Sequence, residues 1–164
     1  MKINSTEFIN ISNELNIKFE KFCTLSIIPD KVGAFGYSPQ LRYKNIKNYP
    51  YLTGIDENTV FCKFKPNLPN VKGVYLWVLN GEIIYIGEGV NLRDRFNNGY
   101  GNISPRNCFK GGQSTNVKMN RIVFCHYENN QHIDIYLCET SEHKQIEFML
   151  LKKIKTKYNI QNNV

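Results

Sequence analysis

The chain has no C-x-x-C pair, no histidine spacing of the zinc-binding kind and no apolar run of membrane-spanning length. A structural zinc site needs four ligands in paired clusters, and His126, His132 and His143 do not supply them. The cysteines Cys23, Cys62, Cys108, Cys125 and Cys138 form an odd set and read as small hydrophobes in a reduced chain. Met1-Lys2-Ile3-Asn4-Ser5 lacks the continuous apolar stretch of a secretory signal, so the expectation is a soluble, cytoplasmic protein with no membrane partner. Internal repeats and low-complexity tracts are also missing, which argues against a solenoid or a disordered tail.

What is present is a chain of 164 residues, 41% apolar and 13% aromatic, enough for one ordinary core with a small appendage. A formal net charge of +7 makes the field around the folded chain attractive to polyanions, of which nucleic acid is the commonest in a cell.

Residues 6 to 23 carry Phe8, Ile9, Ile11, Leu15, Ile17, Phe19 and Phe22 at mixed helical spacing, which predicts one helix with a weak point near Asn13. From Pro29 to Asn70 the chain is rich in Pro, Gly, Asn, Tyr and Lys, the composition of irregular structure with short strands. The texture changes at Val71. Val74 to Leu79 and Ile83 to Ile86 are β-branched and aromatic runs joined at Asn80-Gly81, a hairpin signal. Both strands are apolar on both faces, so the hairpin belongs to a sheet covered by helices. Asn91 can cap a short helix that runs through Asp94 to Phe96, and Ser114 or Thr115 one that reaches about Phe124. Ile133 to Leu137 alternates like a strand. A last helix, capped by Thr140 or Ser141, runs to about Lys157. The expected fold is α+β, an α/β sandwich-like arrangement with a small antiparallel or mixed sheet flanked by helices. Residues 1–70 form an N-terminal extension, a DNA-contacting or packing arm, and residues 71–164 the main domain.

Three residues are informative without any relative. Glu147 shares a helical face with Leu150, Leu151, Ile154 and Tyr158, and a carboxylate on an apolar stripe needs a partner or a metal to offset its burial. Tyr75 and Tyr85 would fall on opposite hairpin faces if Asn80-Gly81 made a two-residue turn. A three-residue loop, Leu79-Asn80-Gly81, or a bulge with the same effect, puts Tyr75 directly across from Tyr85, and that is the expectation.

Gly73-Val74-Tyr75 followed by Tyr85-Ile86-Gly87, with the tyrosines ten positions apart, resembles the GIY-YIG nuclease superfamily. The downstream spacing adds to the likeness: Arg95 stands ten positions after the second tyrosine, Glu147 on the late helix, and Asn159 twelve positions beyond it. The resemblance covers Gly73 to about Asn159 and leaves residues 1 to 70 unexplained. It implies a restriction-like or mobile-element DNA endonuclease, with one divalent ion, Mg2+ or Mn2+, held at each active site by Glu147. It also implies a general-base role for Tyr75, orientation of water or phosphate by Tyr85, neutralisation of phosphate charge by Arg95, and support of the site by Asn159. A free phenol titrates at about 10, too high for a base at neutral pH, so a neighbouring cation has to lower it. Glu88 stands where relatives often carry lysine or serine. Gly99 occupies a position that often holds tyrosine or histidine, with Tyr100 beside it.

The passage from Asn97 to Gln113 is longer than a connector requires and resembles an insertion of restriction-type relatives. Arg93, Tyr100, Arg106, Lys110 and Gln113, with Asn116, Lys118 and Arg121 on the following helix, are the candidate nucleic-acid contacts. Arg42, Tyr43, Lys44, Lys47, Tyr49 and Tyr51 interleave cations with aromatics, which suits either a nucleic-acid surface or a packed segment. Double-stranded DNA is the expected partner. Cutting both strands needs two active sites, hence a homodimer or sequential nicking. The alternatives are a structure-specific repair-type nuclease and a catalytically silent nucleic-acid-binding module.

Overall fold

The structure, a computed structural model, describes residues 6–159, so the segment read for a secretory signal lies outside it. The fold is α+β: a four-stranded, wholly antiparallel sheet with helices. In chain order the main elements are α1 (Thr6–Glu14), β1 (Glu20–Thr24), β2 (Gly73–Leu79), β3 (Glu82–Gly89), α2 (Leu92–Asp94), α3 (Ser114–Glu128), β4 (Ile133–Glu139) and α4 (His143–Lys153). A π-helix, Arg95–Tyr100, continues from α2. Among the described residues no helix is long and apolar enough to cross a membrane.

Two compact units divide the chain, and neither is a contiguous block. The first takes residues 1–25, 68–93 and 132–164; the second takes 26–67 and 94–131. The expected split into a 1–70 extension and a 71–164 domain is therefore corrected. Its physical reason is strand pairing: β1, from the N-terminal segment, hydrogen-bonds to β4, so the beginning of the chain is part of the sheet.

In the first unit the strand order is β1-β4-β2-β3. β2 lies in the middle and is buried along nearly its whole length, as its two-sided apolar sequence requires. Val74, Leu76 and Val78 of β2, Ile86 of β3 and Tyr136 of β4 form one core with Phe8 and Ile11 of α1 and Ile146 and Leu150 of α4. The helix expected over residues 6 to 23 stops at Glu14. Asn16 takes a left-handed φ of 50°, with Ile17 N–H donating to Ser12 O and Asn16 N–H to Asn13 O, the hydrogen-bond pair of a Schellman cap. The chain then extends into β1, whose mostly exposed residues carry none of the strand alternation that sequence reading looks for. α4 likewise ends at Lys153, before the expected Lys157, and Ile154 is already extended.

The second unit has α3, the π-helix and short 3-10 turns, joined by isolated bridges at Tyr37–Phe61 and Tyr51–Phe109. Its core is Ile55, Phe61, Ile103, Cys108, Phe109 and Val117, packed against Tyr37, Tyr43, Tyr49, Tyr51 and Leu52.

Candidate active site

The hairpin closes through a two-residue turn, with Asn80 at φ 51° and Gly81 at φ 86° and Leu79 paired with Glu82. Two consecutive positive φ values match the right-handed twist of a tight hairpin, which is why Asn-Gly stands there. Of the two expected routes to a shared face, the three-residue loop is corrected and the bulge is the one the hairpin takes. Val78 pairs with Ile83 and Trp77 with Tyr85, so Ile84 is an extra residue, a β-bulge. Without it Tyr85 would oppose Leu76 on the helix-covered face; with it Tyr85 joins Tyr75 on the other. Tyr75 is not directly across from Tyr85, however: it faces Gly87, and Tyr85 faces Trp77. The two phenol rings lie diagonally, with centroids 6.4 Å apart, and Trp77 meets Tyr85 edge-on at 6.0 Å.

Gly87 is required by the ring that covers it. A Cβ at this position would lie 2.5 Å from the Tyr75 hydroxyl oxygen and 2.6 Å from Cζ, closer than any real contact. Tyr75 is fully buried and Tyr85 is 8% exposed, so both rings are held by packing.

Asn159 holds the register from outside the sheet. β3 is an edge strand, and the Asn159 side chain accepts from Ile86 N–H at 2.8 Å and donates to Ile86 C=O at 2.7 Å. Tyr158 N–H donates to the carbonyl of the bulge residue Ile84. Thr156 Oγ1 donates to Asn159 Oδ1 at 2.6 Å and fixes the amide. Asn159 thus acts on the backbone between Tyr85 and Gly87, a supporting role.

Glu147 is half-buried on α4, beside the buried His143, Ile146 and Leu150. The stripe predicted through Ile154 and Tyr158 is cut short by the end of the helix. α4 packs through Ile146 and Leu150 on the Val74–Leu76–Ile86 face, opposite the one that carries the tyrosines. Thr140 Oγ1 accepts from Glu142 N–H at 3.1 Å in the turn before the helix, but the N-cap position falls on Glu142, which makes no side-chain cap, so the expected cap by Thr140 or Ser141 is corrected. A contact missed from the sequence lies at the start of α4: His143 Nδ1 meets Glu88 Oε2 at 2.5 Å. Four positions separate His143 from Glu147, a spacing that could have drawn notice.

Arg95 belongs to the second unit, where it opens the π-helix. The wider turn, closed by Gly101 N–H donating to Phe96 O at 2.7 Å, stacks positions five apart, so the guanidinium lies 4.4 Å from the centre of the Tyr100 ring. Its Nη1 donates to Asn116 Oδ1 at 3.1 Å, and Asn116 in turn donates to Gln113 Oε1. Tyr100, fully buried, and Asn116, 2% exposed, are removed from the list of nucleic-acid contacts; they hold Arg95.

The other candidate contacts divide. Arg106 donates to Phe109 O and Lys110 O, and its guanidinium stacks 4.4 Å from the Tyr49 ring. Arg121 donates to Gly54 O at 2.7 Å and Arg93 to Leu68 O at 2.8 Å. Lys110, Lys118 and Gln113 are exposed. Of the interleaved aromatics, Tyr43 and Tyr51 pack on Phe109 with centroids at 4.9 and 4.6 Å, the packed-segment alternative.

Among the described residues no group of three or more His, Cys, Asp and Glu side chains is arranged to hold a metal ion. The chain matches no protein-family model, no curated protein and no solved structure.

Proposed function

We propose that the chain is a magnesium- or manganese-dependent DNA endonuclease that hydrolyses phosphodiester bonds by the chemistry of the GIY-YIG nucleases it resembles. The observation that carries this reading is the bulge at Ile84, which turns two tyrosines ten positions apart onto one face, with the second glycine of the motif under the first tyrosine.

Glu147, a half-buried carboxylate on a rigid helix, fits a single hydrated Mg2+ or Mn2+, an ion bound through few carboxylates and completed by water and substrate oxygens. When bound, that ion supplies positive charge at the leaving 3′ oxygen. Tyr75 accepts the proton of the attacking water and Tyr85 orients water or phosphate. Arg95, pre-positioned by Tyr100 and Asn116, offsets charge on the non-bridging oxygens. Because Tyr75 is fully enclosed and α4 packs on the opposite face of the sheet, the Tyr75 hydroxyl and an ion at Glu147 meet one phosphate only after local opening on substrate binding. The substrate is double-stranded DNA, cut in a restriction-like or mobile-element setting, by a homodimer or by sequential nicking.

Incubating supercoiled plasmid with the purified chain and Mg2+ tests this. The wild type converts it to nicked or linear product, and Glu147→Ala lowers the rate by at least about 100-fold, the scale of losing a group that stabilises transition-state charge. No conversion by the wild type in either Mg2+ or Mn2+, with the DNA still bound, identifies a catalytically silent binding module instead.

A further inference from the structure

The positive charge of the chain is unevenly held. Residues 26–67 and 94–131, the second unit, carry eleven Lys and Arg against five Asp and Glu, which is +6 of the total +7. Within that unit the segment from Arg42 to Tyr51 sorts its side chains. Tyr43, Tyr49 and Tyr51 are half-buried against the core that contains Phe109, whereas Arg42, Lys44, Ile46 and Lys47 are exposed. Lys110, also exposed, stands beside the base of this segment, its N–H donating to Pro50 O at 2.8 Å. Neither Arg42, Lys44, Lys47 nor Lys110 forms an ion pair with a described residue.

Ile46 is the exception among these cations. It is 88% exposed and takes the second position of a tight turn, closed by Asn48 N–H donating to Asn45 O at 3.0 Å. Asn45 locks the turn: its Oδ1 accepts from Tyr49 N–H at 2.8 Å and its Nδ2 donates to Tyr49 O at 2.7 Å. The Arg106 guanidinium, 4.4 Å from the centre of the Tyr49 ring, anchors the base. A single exposed isoleucine is ordinary on a protein surface. One held out on a fixed tip, with a lysine two residues before it and another directly after, is a shaped feature.

We propose that this tip is a wedge for the minor groove of duplex DNA: Ile46 enters a base step, Lys44 and Lys47 contact the flanking phosphates, and Lys110 adds charge at the base of the loop. The inference rests on the nuclease reading, which supplies the partner, and deepens it by naming a surface that grips it. The minor groove is about 6 Å wide, too narrow for a helix but open to the tip of one turn. Isoleucine is among the side chains that enter base steps there, partly unstacking them and kinking the duplex. A tip fixed before binding loses little freedom on docking. The phosphate backbone supplies the anions that the four cations lack within the chain. A lipid surface fits less well, since Ile46 and Leu41, 64% exposed, offer little apolar area to a bilayer.

Binding of the full chain to a short duplex with a fluorescent donor and acceptor at its two ends, without Mg2+ and over a range of salt, tests the proposal beside plasmid cleavage with Mg2+. The wild type binds and raises energy transfer, because a kink brings the ends together. Ile46→Ala abolishes the rise and leaves the salt dependence as it was, and Ile46→Leu keeps the rise. Lys44→Ala and Lys47→Ala keep the rise, and each flattens the plot of log affinity against log salt by about 1, the loss of one phosphate contact. All four positions changed or retained here lie on the exposed face, and circular dichroism of each variant checks that it folds. An Ile46→Ala chain that binds and bends the duplex like the wild type, with cleavage intact, overturns this proposal and leaves the nuclease reading standing. So does a wild type that binds without bending. Duplex bent through Ile46 but never cut sinks the nuclease reading and upholds the wedge. A wild type that binds phosphatidylserine vesicles and no DNA overturns both.

Discussion

Two asparagines make the same pair of hydrogen bonds in two differently built units. In the sheet unit Asn159 accepts from the N–H and donates to the C=O of Ile86, and so adds one peptide-like rung to an edge strand already paired on its other side. In the irregular unit Asn120 does the same to Cys62, at 3.0 and 2.7 Å, and donates also to Tyr100 O at 2.7 Å. Asn159 is half-buried, whereas Asn120 is fully buried. A sheet satisfies its backbone by regular pairing, and a side chain need only finish the edge. The second unit lacks such a ladder among its described residues, and side chains take its place: Gln40 donates to Thr59 O, Asn45 to Tyr49 O and Arg121 to Gly54 O. The first unit thus owes its order to apolar patterning, and the second to a few polar groups that each serve several partners.

Removing each asparagine in turn breaks the symmetry of the comparison. Asn120→Ala leaves three buried backbone groups unpaired and should cost about 3 kcal/mol in chemical denaturation, with faster amide exchange at Cys62 but not at Ile86. Gly87→Ala, in the regular unit, drives a methyl into the Tyr75 ring and should cost about 2 kcal/mol by the same measurement. Asn159→Ala should cost about 1 kcal/mol and accelerate exchange of the Ile86 amide, since partial exposure lets water replace part of the bond.

The smallest effect concerns β1. Burial pushes the Asp134 carboxyl up, but hydrogen bonds from Thr24 and Lys21 and the Lys21 charge outweigh it, and the net direction is down. A carboxyl that holds its proton less tightly when folded adds stability above the ordinary unfolded range, about pH 4, and that contribution disappears as pH falls through the lower folded value. Asp134→Asn should therefore lose about 0.5 kcal/mol at neutral pH, a gap that closes in acid.

The same contrast governs what could be read in advance. The hairpin was legible because Asn80-Gly81 and the runs beside it obey local rules, and α3 and β4 because their patterns are long. The bulge at Ile84 was not placed, since nothing local marks it: its carbonyl is engaged by Tyr158, far along the chain. β1 was missed because a short, exposed edge strand carries little alternation. At the candidate site, the tyrosines and Arg95 could be named, but Tyr100 and Asn116 were misread as DNA contacts because burial by a π-helix leaves no periodic signature. The Glu88–His143 contact joins a strand end to a helix start, and only the folded chain brings them together.

Single-turnover cleavage of a duplex oligonucleotide by Tyr75→Phe, measured beside its affinity for the same DNA, tests the central claim most directly. The account predicts a cleavage rate lower by at least about 100-fold, the lower range of general-base catalysis, with unchanged affinity. A Tyr75→Phe chain that cleaves as fast as the wild type would contradict it.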